Sequence, residues 1–308
     1  MTLLLLGPIW LRGGPVTAPP EDVTVRAVEV ALPARQGDFT RAGLWQLASP
    51  SMEFGGFSAL LPLGDGLLRL FSDRGTRLTL AVEDGVLRHP GDRRVFAQVW
   101  DVGDFGNVRR DIESATRDPE TGDYWLGFEN FNAIVRYDVA SNRIAARRPP
   151  EMQPWPVNGG AEALVRLKDG RFIVLPEHRG DGLLFASDPT ADGAAARFRF
   201  TLPDPYYATA MAQLPDGRVL VLARGLRPSL PPFTARLYLG DPARITPGGR
   251  WPLERLLDLD TILPRENYEA LGVRAQDDGT VEIWIASDDN QAALQRTLVA
   301  RLIWQPAQ

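Results

Sequence analysis

The chain has 308 residues, of which 44% are hydrophobic and 24% charged, with two histidines and no cysteine. The lack of cysteine excludes disulfides, iron–sulfur clusters and thiolate zinc sites, and two histidines exclude a three-histidine metal site. Acidic residues outnumber basic ones by 39 to 34, and the net charge of −5 without a basic run argues against nucleic-acid binding. Any chemistry must therefore depend on carboxylates, arginines and hydroxyls.

Residues 1–22 are predicted to be a leader or linker, and residues 23–308 a single domain. The apolar stretch Leu3–Leu11 is shorter than the roughly 20 residues that span a bilayer, so no stable membrane span is expected. Pro8 interrupts it, and no lysine or arginine precedes it, which makes an imperfect signal peptide. Two interpretations stay open: an export signal of a periplasmic or secreted protein, or the tail of a cytoplasmic one.

An internal repeat organises the rest of the chain. Five segments share a short apolar phrase, a turn, a β-rich run and a polar cluster, at a period of about 50 residues. Their anchor residues are Ser58, Glu113, Glu162, Thr209 and Glu269. In three copies an Asp-Gly pair follows the anchor by seven residues, which is a strong hairpin signal because such turns need positive φ. No segment has a persuasive helical period, so the chain is predicted to be almost all β.

A repeat of this size with several short strands is typical of a propeller blade. The sequence predicts an all-β, single-domain β-propeller with six blades, five or seven being the alternatives. The sixth blade would combine the N-terminal strands Val23–Leu32 and Leu44–Leu47 with the last strand, Leu298–Trp304. Closing the ring with both ends of the chain would leave no exposed sheet edge.

The repeat also predicts where polar side chains meet. In each hairpin the anchor and a second polar position lie opposite the turn, and in a propeller these ends converge on one channel mouth. The expected pairs are Ser58 with Asp73, Glu113 with Glu129, Glu162 with Glu177, Thr209 with Arg224, and Glu269 with Asp288.

So many carboxylates would repel one another unless cations bind between them. Oxygen ligands suit calcium best, with another divalent metal such as magnesium or manganese as the alternative. Arg74 and Arg224 are placed either to pair with these acids or to hold an anionic substrate. His178 directly follows Glu177 and is a candidate general base.

Several motifs resemble the phytase-like domain family, also called "esterase-like activity of phytase", which occurs in exported proteobacterial proteins. The resemblance covers roughly residues 40–304. The motifs are Gly55–Leu60, Phe71–Gly75, Asn158–Leu164, Asn267–Leu271, Ser287–Asn290 and Leu294–Leu298. The resemblance implies a propeller-like fold and acidic residues with hydrolytic chemistry. The acids it implies are Asp73, Glu113, Glu162, Glu177, Glu269, Asp288 and Asp289. The fourth repeat departs from the family, with Ala223-Arg224 where members often have an acid, and the lysine-rich phosphate sites of calcium-dependent propeller phytases are missing.

The leading hypothesis is an exported, calcium-assisted phosphoester hydrolase acting on a small molecule. A metal-dependent lactonase or carboxylic esterase, using amides such as Asn130, Asn158 and Asn290, is the second. A non-catalytic binding module that holds a structural ion is the third.

The expected catalytic residues are Glu162, Glu269, Arg74 and His178. Substrate binding is assigned to Arg74, Arg224, Asn158, Asn290 and Arg296. The metal ligands expected are Asp73, Glu113, Glu129, Glu162, Glu177, Glu269, Asp288 and Asp289. The sequence does not indicate an oligomeric state.

Overall fold

A computed structural model describes residues 23–51, 53–64, 66–89, 96–99, 111–156, 159–177 and 180–306. Within these ranges the chain forms 24 β-strands and two short 3-10 turns, Pro242–Arg244 and Leu259–Thr261. The prediction of an almost all-β chain is therefore confirmed for the described residues. They include no helix with the length and apolar character needed to cross a lipid bilayer. The leader predicted over residues 1–22 lies outside the described residues.

The strands form five sheets, which are the blades of a β-propeller and are numbered in chain order. Blade 1 contains β4 (Phe57–Pro62), β5 (Leu67–Ser72), β6 (Thr76–Glu83), β7 (Val86–Arg88) and β8 (Phe96–Gln98). Blade 2 contains β9 (Ile112–Arg117), β10 (Tyr124–Phe128), β11 (Ala133–Tyr137) and β12 (Arg143–Arg147). Blade 3 contains β13 (Ala163–Arg166), β14 (Phe172–Leu175), β15 (Asp181–Phe185), β16 (Ala195–Phe200) and β20 (Arg250–Trp251). Blade 4 contains β17 (Tyr206–Gln213), β18 (Val219–Leu226), β19 (Phe233–Gly240) and β21 (Leu253–Asp258). Blade 5 contains β22 (Tyr268–Ala275), β23 (Val281–Ser287), β24 (Thr297–Trp304), β1 (Thr24–Ala27), β2 (Arg35–Gln36) and β3 (Phe39–Ala48).

In the described part of the chain the ring has five blades, so the prediction of six is wrong. Each innermost strand packs beside the next in the order β4, β9, β13, β17 and β22, and β22 packs against β4 again. The N-terminal strands and the last strand do pair, but they do not form a sixth sheet, because β24 also pairs with β23 of the fifth repeat. Strand β3 pairs antiparallel with β24, outside the three strands of the fifth repeat, and β1 pairs with β3 at the edge. Both ends of the chain therefore complete one blade, as the closure argument requires.

The hydrophobic core lies between the blades. Five clusters of buried side chains occur among the described residues, and each joins two neighbouring blades. Between blades 4 and 5, for example, Leu222 and Leu237 pack with Ile283 and Leu302, all fully buried. Because both faces of every blade are covered, the inner strands are nearly continuous apolar runs that alternation alone does not mark as strands.

The hairpin turns follow the sequence prediction. Gly66, Gly170, Gly217 and Gly279 all have positive φ, from 67° to 93°. These glycines occupy the turns between the first and second strands of their blades. The first strand of each blade consequently begins at the end of the ring opposite these turns, and that end carries the anchor residues.

Candidate functional site

The anchor residues lie in, or immediately before, the N-terminal halves of the five innermost strands, away from the hairpin turns, as predicted. At Ser58, Glu113, Thr209 and Glu269 the pairing register with the second strand shifts by one residue, which leaves the anchor as an extra residue in a β-bulge. Glu162 immediately precedes β13. A bulge redirects the side chain of its extra residue, and here it recurs where the strand reaches the central axis.

Hydroxyl groups at this end tie neighbouring blades together. The Ser58 hydroxyl donates to the carbonyl of Ile112 in blade 2, and the Thr209 hydroxyl donates to the carbonyl of Tyr268 in blade 5 at 3.3 Å. Ser114, next to Glu113, donates to the carbonyl of Ala161 at 2.5 Å. Ser58 and Thr209 therefore close the seams of the ring, whereas the three glutamate anchors supply charge.

The second polar positions reach the same end through a repeated backbone contact. The amide of Asp73 donates to Gly56, that of Glu129 to Asp111, and that of Asp288 to Asn267, at 2.8 to 2.9 Å. Gly56 has φ +69°, and a Cβ there would lie 2.2 Å from Asp73 Oδ1. Only glycine fits this close approach, which explains the glycine two residues before the first anchor.

Eight carboxylates gather at this end, and we call them the acidic mouth. They are Asp73, Asp111, Glu113, Glu129, Glu162, Glu177, Glu269 and Asp288. Glu162, Glu269 and Asp288 are only 5–7% exposed. Carboxylates are rarely so buried unless they are paired or hold a cation.

Burial and the charges of neighbouring carboxylates raise the pKa of several of these groups. Burial, followed by the charge of Glu162, raises the pKa of Glu113 well above its ordinary value. Burial and Glu177 do the same for Glu162, although Arg224 opposes the shift. Burial, together with Asp111, raises the pKa of Glu129 to about 7. These acids cannot all be ionised at neutral pH without compensating positive charge.

Burial and the charge of Glu269 likewise raise the pKa of Asp288. The Asp288 carboxylate accepts from the backbone amide of Asn290 at 2.7 Å, which opposes that shift. Asp73 also contributes to the shift. The structure therefore brings together Asp73, Glu269 and Asp288, which are predicted acids of blades 1 and 5.

The best candidate for a metal centre is formed by Asp111, Glu113 and Glu129. One carboxylate oxygen from each lies within 4.8 Å of the other two, and all three residues are half-buried. The side chain of Asn130 donates to Asp111 Oδ2 at 2.7 Å and fixes its orientation. Asp111 was missed by the sequence reasoning. The signal was its place two residues before Glu113, because alternate residues of a strand share a face.

The sequence left open whether Arg224 pairs with the acids or holds an anionic substrate. Its Nη2 lies 3.0 Å from Glu269 Oε1 and 3.3 Å from Glu177 Oε1, so the guanidinium is paired with acids from both neighbouring blades. Burial alone would lower the pKa of Arg224, but these carboxylates and that of Glu162 raise it above its ordinary value. Arg224 is thus an internal counter-ion of the acidic mouth.

Two predicted residues of blade 5 have structural partners. Asp289 was predicted to bind metal, but its carboxylate accepts from the amide of Gly56 at 3.1 Å, the amide of Gln291 at 2.9 Å and the hydroxyl of Thr297 at 2.9 Å. It therefore joins blade 5 to blade 1. Asn290 donates through its amide to Gln295 Oε1 at 2.8 Å.

Of the remaining predicted residues, Arg296 donates from Nε to Glu266 Oε1 at 2.6 Å. Arg74 is half-buried and directly follows Asp73, and its amide donates to the Ser72 hydroxyl. Asn158 and His178 lie outside the described residues.

Comparison with known proteins gives one family and distant structural likenesses. The family described as "Phytase-like: Esterase-like activity of phytase" matches residues 52–291. No curated protein matches the chain in sequence.

Among solved structures, a candidate gluconolactonase has 12% identity and a TM-score of 0.48, covering 94% of this chain and 96% of its own. An endo-arabinase from Bacteroides thetaiotaomicron has 11% identity and a TM-score of 0.49, covering 82% and 95%. A hydrazine synthase of Kuenenia stuttgartiensis has 13% identity and a TM-score of 0.40, covering 76% of this chain. The chain spans 56% of that synthase chain.

Proposed function

Because the chain belongs to the phytase-like family, we propose that it is a divalent-cation-dependent hydrolase of small phosphate esters, with its reaction centre at the acidic mouth. The observation that carries the proposal is the convergence of Asp111, Glu113 and Glu129, whose oxygens lie within 4.8 Å of one another.

The donor set fits a hard cation, and calcium in particular. Calcium takes six to eight oxygen ligands at about 2.3–2.6 Å, so two oxygens on one ion are separated by at most about 5 Å. The three carboxylates satisfy that limit. Burial, followed by the charge of Asp111, raises the pKa of Glu129, and a bound cation would oppose both effects by stabilising the ionised carboxylate. When bound, the cation would supply positive charge that polarises a phosphoryl oxygen. Magnesium or manganese is the alternative.

The other residues of the mouth take supporting roles in this proposal. The charges of Glu162 and Glu269 act on Glu113, one of the three carboxylates of the metal candidate. We assign Glu162 and Glu269 to proton transfer with the attacking water and the leaving group. The pair with Arg224 holds the Glu269 carboxylate in place. Arg74, half-buried at this end of the ring, is assigned to the phosphate, together with the part of the Arg296 guanidinium that its pair with Glu266 through Nε leaves over. An exported location accompanies the proposal, since extracellular calcium sites work at a Kd of about 10⁻⁴–10⁻³ M.

The test is phosphate release from p-nitrophenyl phosphate and from inositol hexakisphosphate. The protein is treated with EDTA and dialysed, and Ca²⁺, Mg²⁺ or Mn²⁺ is added back. We expect turnover that depends on the cation and falls at least 100-fold in Glu113→Gln, since the substitution removes a charged ligand. Glu254→Gln, an exposed glutamate on β21, is the matched control and should keep full activity. Equal turnover in EDTA would refute the proposal.

A carboxylic ester or lactone is the second candidate substrate class. Two observations favour it: Arg224 is already paired with Glu177 and Glu269, and the amide of Asn130 lies beside the metal candidate. A lactonase would cleave p-nitrophenyl acetate or γ-butyrolactone with the same cation dependence but would tolerate Arg74→Ala. If the cation raises the Tm while the phosphate esters, p-nitrophenyl acetate and γ-butyrolactone all stay intact, the protein is a binding module with a structural ion.

A further inference from the structure

The opposite mouth of the ring has the reverse charge. Arg117 ends β9, Arg166 ends β13, and Arg274 is the penultimate residue of β22, so three of the five innermost strands bring an arginine to this end. We call this set the arginine mouth. It is separated from the acidic mouth by the length of the innermost strands.

These arginines are not fully neutralised by described residues. Arg166 pairs with Asp118 at 2.9 Å. Arg274 lies 3.7 Å from Glu282, a carboxylate that Arg301 also contacts, and its Nη2 donates to the carbonyl of Leu63 at 3.0 Å. Within the described part of the chain, Arg117 donates one hydrogen bond, from Nη1 to the carbonyl of Pro62 at 2.8 Å.

The Nε of Arg117 is buried and has no hydrogen-bond partner within the described ranges. Burial, followed by the positive charge of Arg274, lowers the pKa of Arg117, although Asp118 opposes this. Two cations therefore line one cavity in a partly desolvated place, which is costly unless an anion binds near them.

A cavity of about 640 Å³ opens here. It is lined by residues from all five innermost strands and by none of the eight carboxylates of the acidic mouth. Its walls are apolar, with Leu60, Leu61 and Met211 among them, and its charged lining comprises four cations and two acids: Arg117, Arg166, Lys168, Arg274, Asp118 and Glu120. A volume of this size is typical of small-molecule sites, which combine apolar walls with a few polar groups.

We propose that the arginine mouth is a second ligand site, which binds a small organic anion. A phosphate, phosphonate or carboxylate head lies between Arg117 and Arg274, and an apolar body of a few carbons packs against the leucine and methionine walls. Arginine suits such a head because its planar fork donates two parallel hydrogen bonds. The site is independent of the hydrolytic proposal, since it lies at the other end of the ring.

The test is isothermal titration calorimetry with hexylphosphonate in the presence of EDTA. The phosphonate carries the anionic head and the apolar body but cannot be hydrolysed. Without a divalent cation the acidic mouth repels anions, so any binding reports the arginine mouth. Hexanol and inorganic phosphate each supply half of the ligand and should bind more weakly than hexylphosphonate.

Arg117→Gln and Arg274→Gln should each weaken binding by about tenfold, as loss of a charged hydrogen bond implies. Arg218→Gln is the matched control, because Arg218 lies in a hairpin turn at the same end and pairs with Asp216 in an exposed position. Its affinity should match that of the unaltered protein.

If Arg117→Gln fails to fold, as judged by circular dichroism, Arg117→Lys replaces it and should retain more affinity than Arg274→Gln. Absence of saturable binding, equal binding of hexanol, or unchanged affinity in the folded arginine variants would overturn the proposal.

Discussion

Arg224 in the second strand of blade 4 lies 3.0 Å from Glu269 in the innermost strand of blade 5, and both side chains are largely buried. This contact joins two blades at the acidic mouth and supplies positive charge to a set of carboxylates. In the repeat, Arg224 occupies the position that the other blades fill with an acid. Blade 4 therefore contributes the counter-ion of the site.

Replacement of Arg224 by glutamine should destabilise the cation-free protein by about 3 kcal/mol, because buried carboxylates lose their partner. Urea unfolding in EDTA measures the change. Arg218→Gln is the control, since its exposed pair with Asp216 contributes at most about 1 kcal/mol. Equal free energies of unfolding for the two variants would show that Arg224 is not a counter-ion.

Addition of calcium should stabilise the protein, and Asp111→Asn and Glu113→Gln should remove most of that effect. A ligand at 100 times its Kd contributes about 2.7 kcal/mol to the folded state. Thermal unfolding with and without calcium measures the shift. Glu254→Gln should behave like the unaltered protein, and a calcium response that survives in Asp111→Asn would place the ion elsewhere.

The cation-free protein should lose stability as the pH rises from about 4.5 to about 7. Burial and Asp111 raise the pKa of Glu129 from 4.5 to about 7 in the folded state, so in this interval the folded chain binds more protons than the unfolded chain. The free energy of unfolding therefore falls with pH, by at most about 3 kcal/mol for this group.

Glu113, Glu162 and Asp288 act in the same direction, since their pKa values are raised as well. Urea titrations across this pH range test the sign. Calcium should flatten the dependence, because ionised carboxylates are then neutralised by the ion. A stability that rises with pH in EDTA would contradict the charge crowding described for the mouth.

Replacement of Asp289 by alanine should affect folding more than metal binding. The substitution removes the acceptor for two backbone amides and one hydroxyl, at a cost of about 2–3 kcal/mol. Calcium affinity, measured by calorimetry, should change less than in Glu113→Gln. If Asp289→Ala instead lowers the calcium affinity as much as Glu113→Gln does, Asp289 is a metal ligand.

The convergence of the acids could be predicted from the sequence because it depends on local geometry. Each Asp-Gly turn fixes a hairpin register, and the register places residues such as Glu162 and Glu177 at the same end. The bulges could not be predicted in this way. A bulge changes the direction in which the side chain of Glu113 or Glu269 points. The hydrophobic pattern of the sequence does not indicate where a bulge occurs.

The blade number could not be predicted because it depends on how the ends of the chain pair. Dividing the length by a blade size assumes that the N-terminal strands and the last strand form a sheet separate from the fifth repeat, whereas β24 pairs with both β3 and β23. The arginine mouth was also missed. Arg117, Arg166 and Arg274 occur at the far ends of the strands that begin at or near Glu113, Glu162 and Glu269. In a chain so rich in arginine, these three positions did not stand out from the composition.

The pairing of β3 with β24 has a consequence for how the chain folds. Phe39 stacks on Trp304 with ring centroids 5.4 Å apart, so residues from opposite ends of the sequence share one layer of the core. During translation β3 leaves the ribosome early, and the edge that pairs with β24 stays uncovered until the last strand has been synthesised. High contact order of this kind slows folding, because the entropy of closing the whole chain is lost before the contacts are gained. Closure of blade 5 should therefore be the late, rate-limiting event.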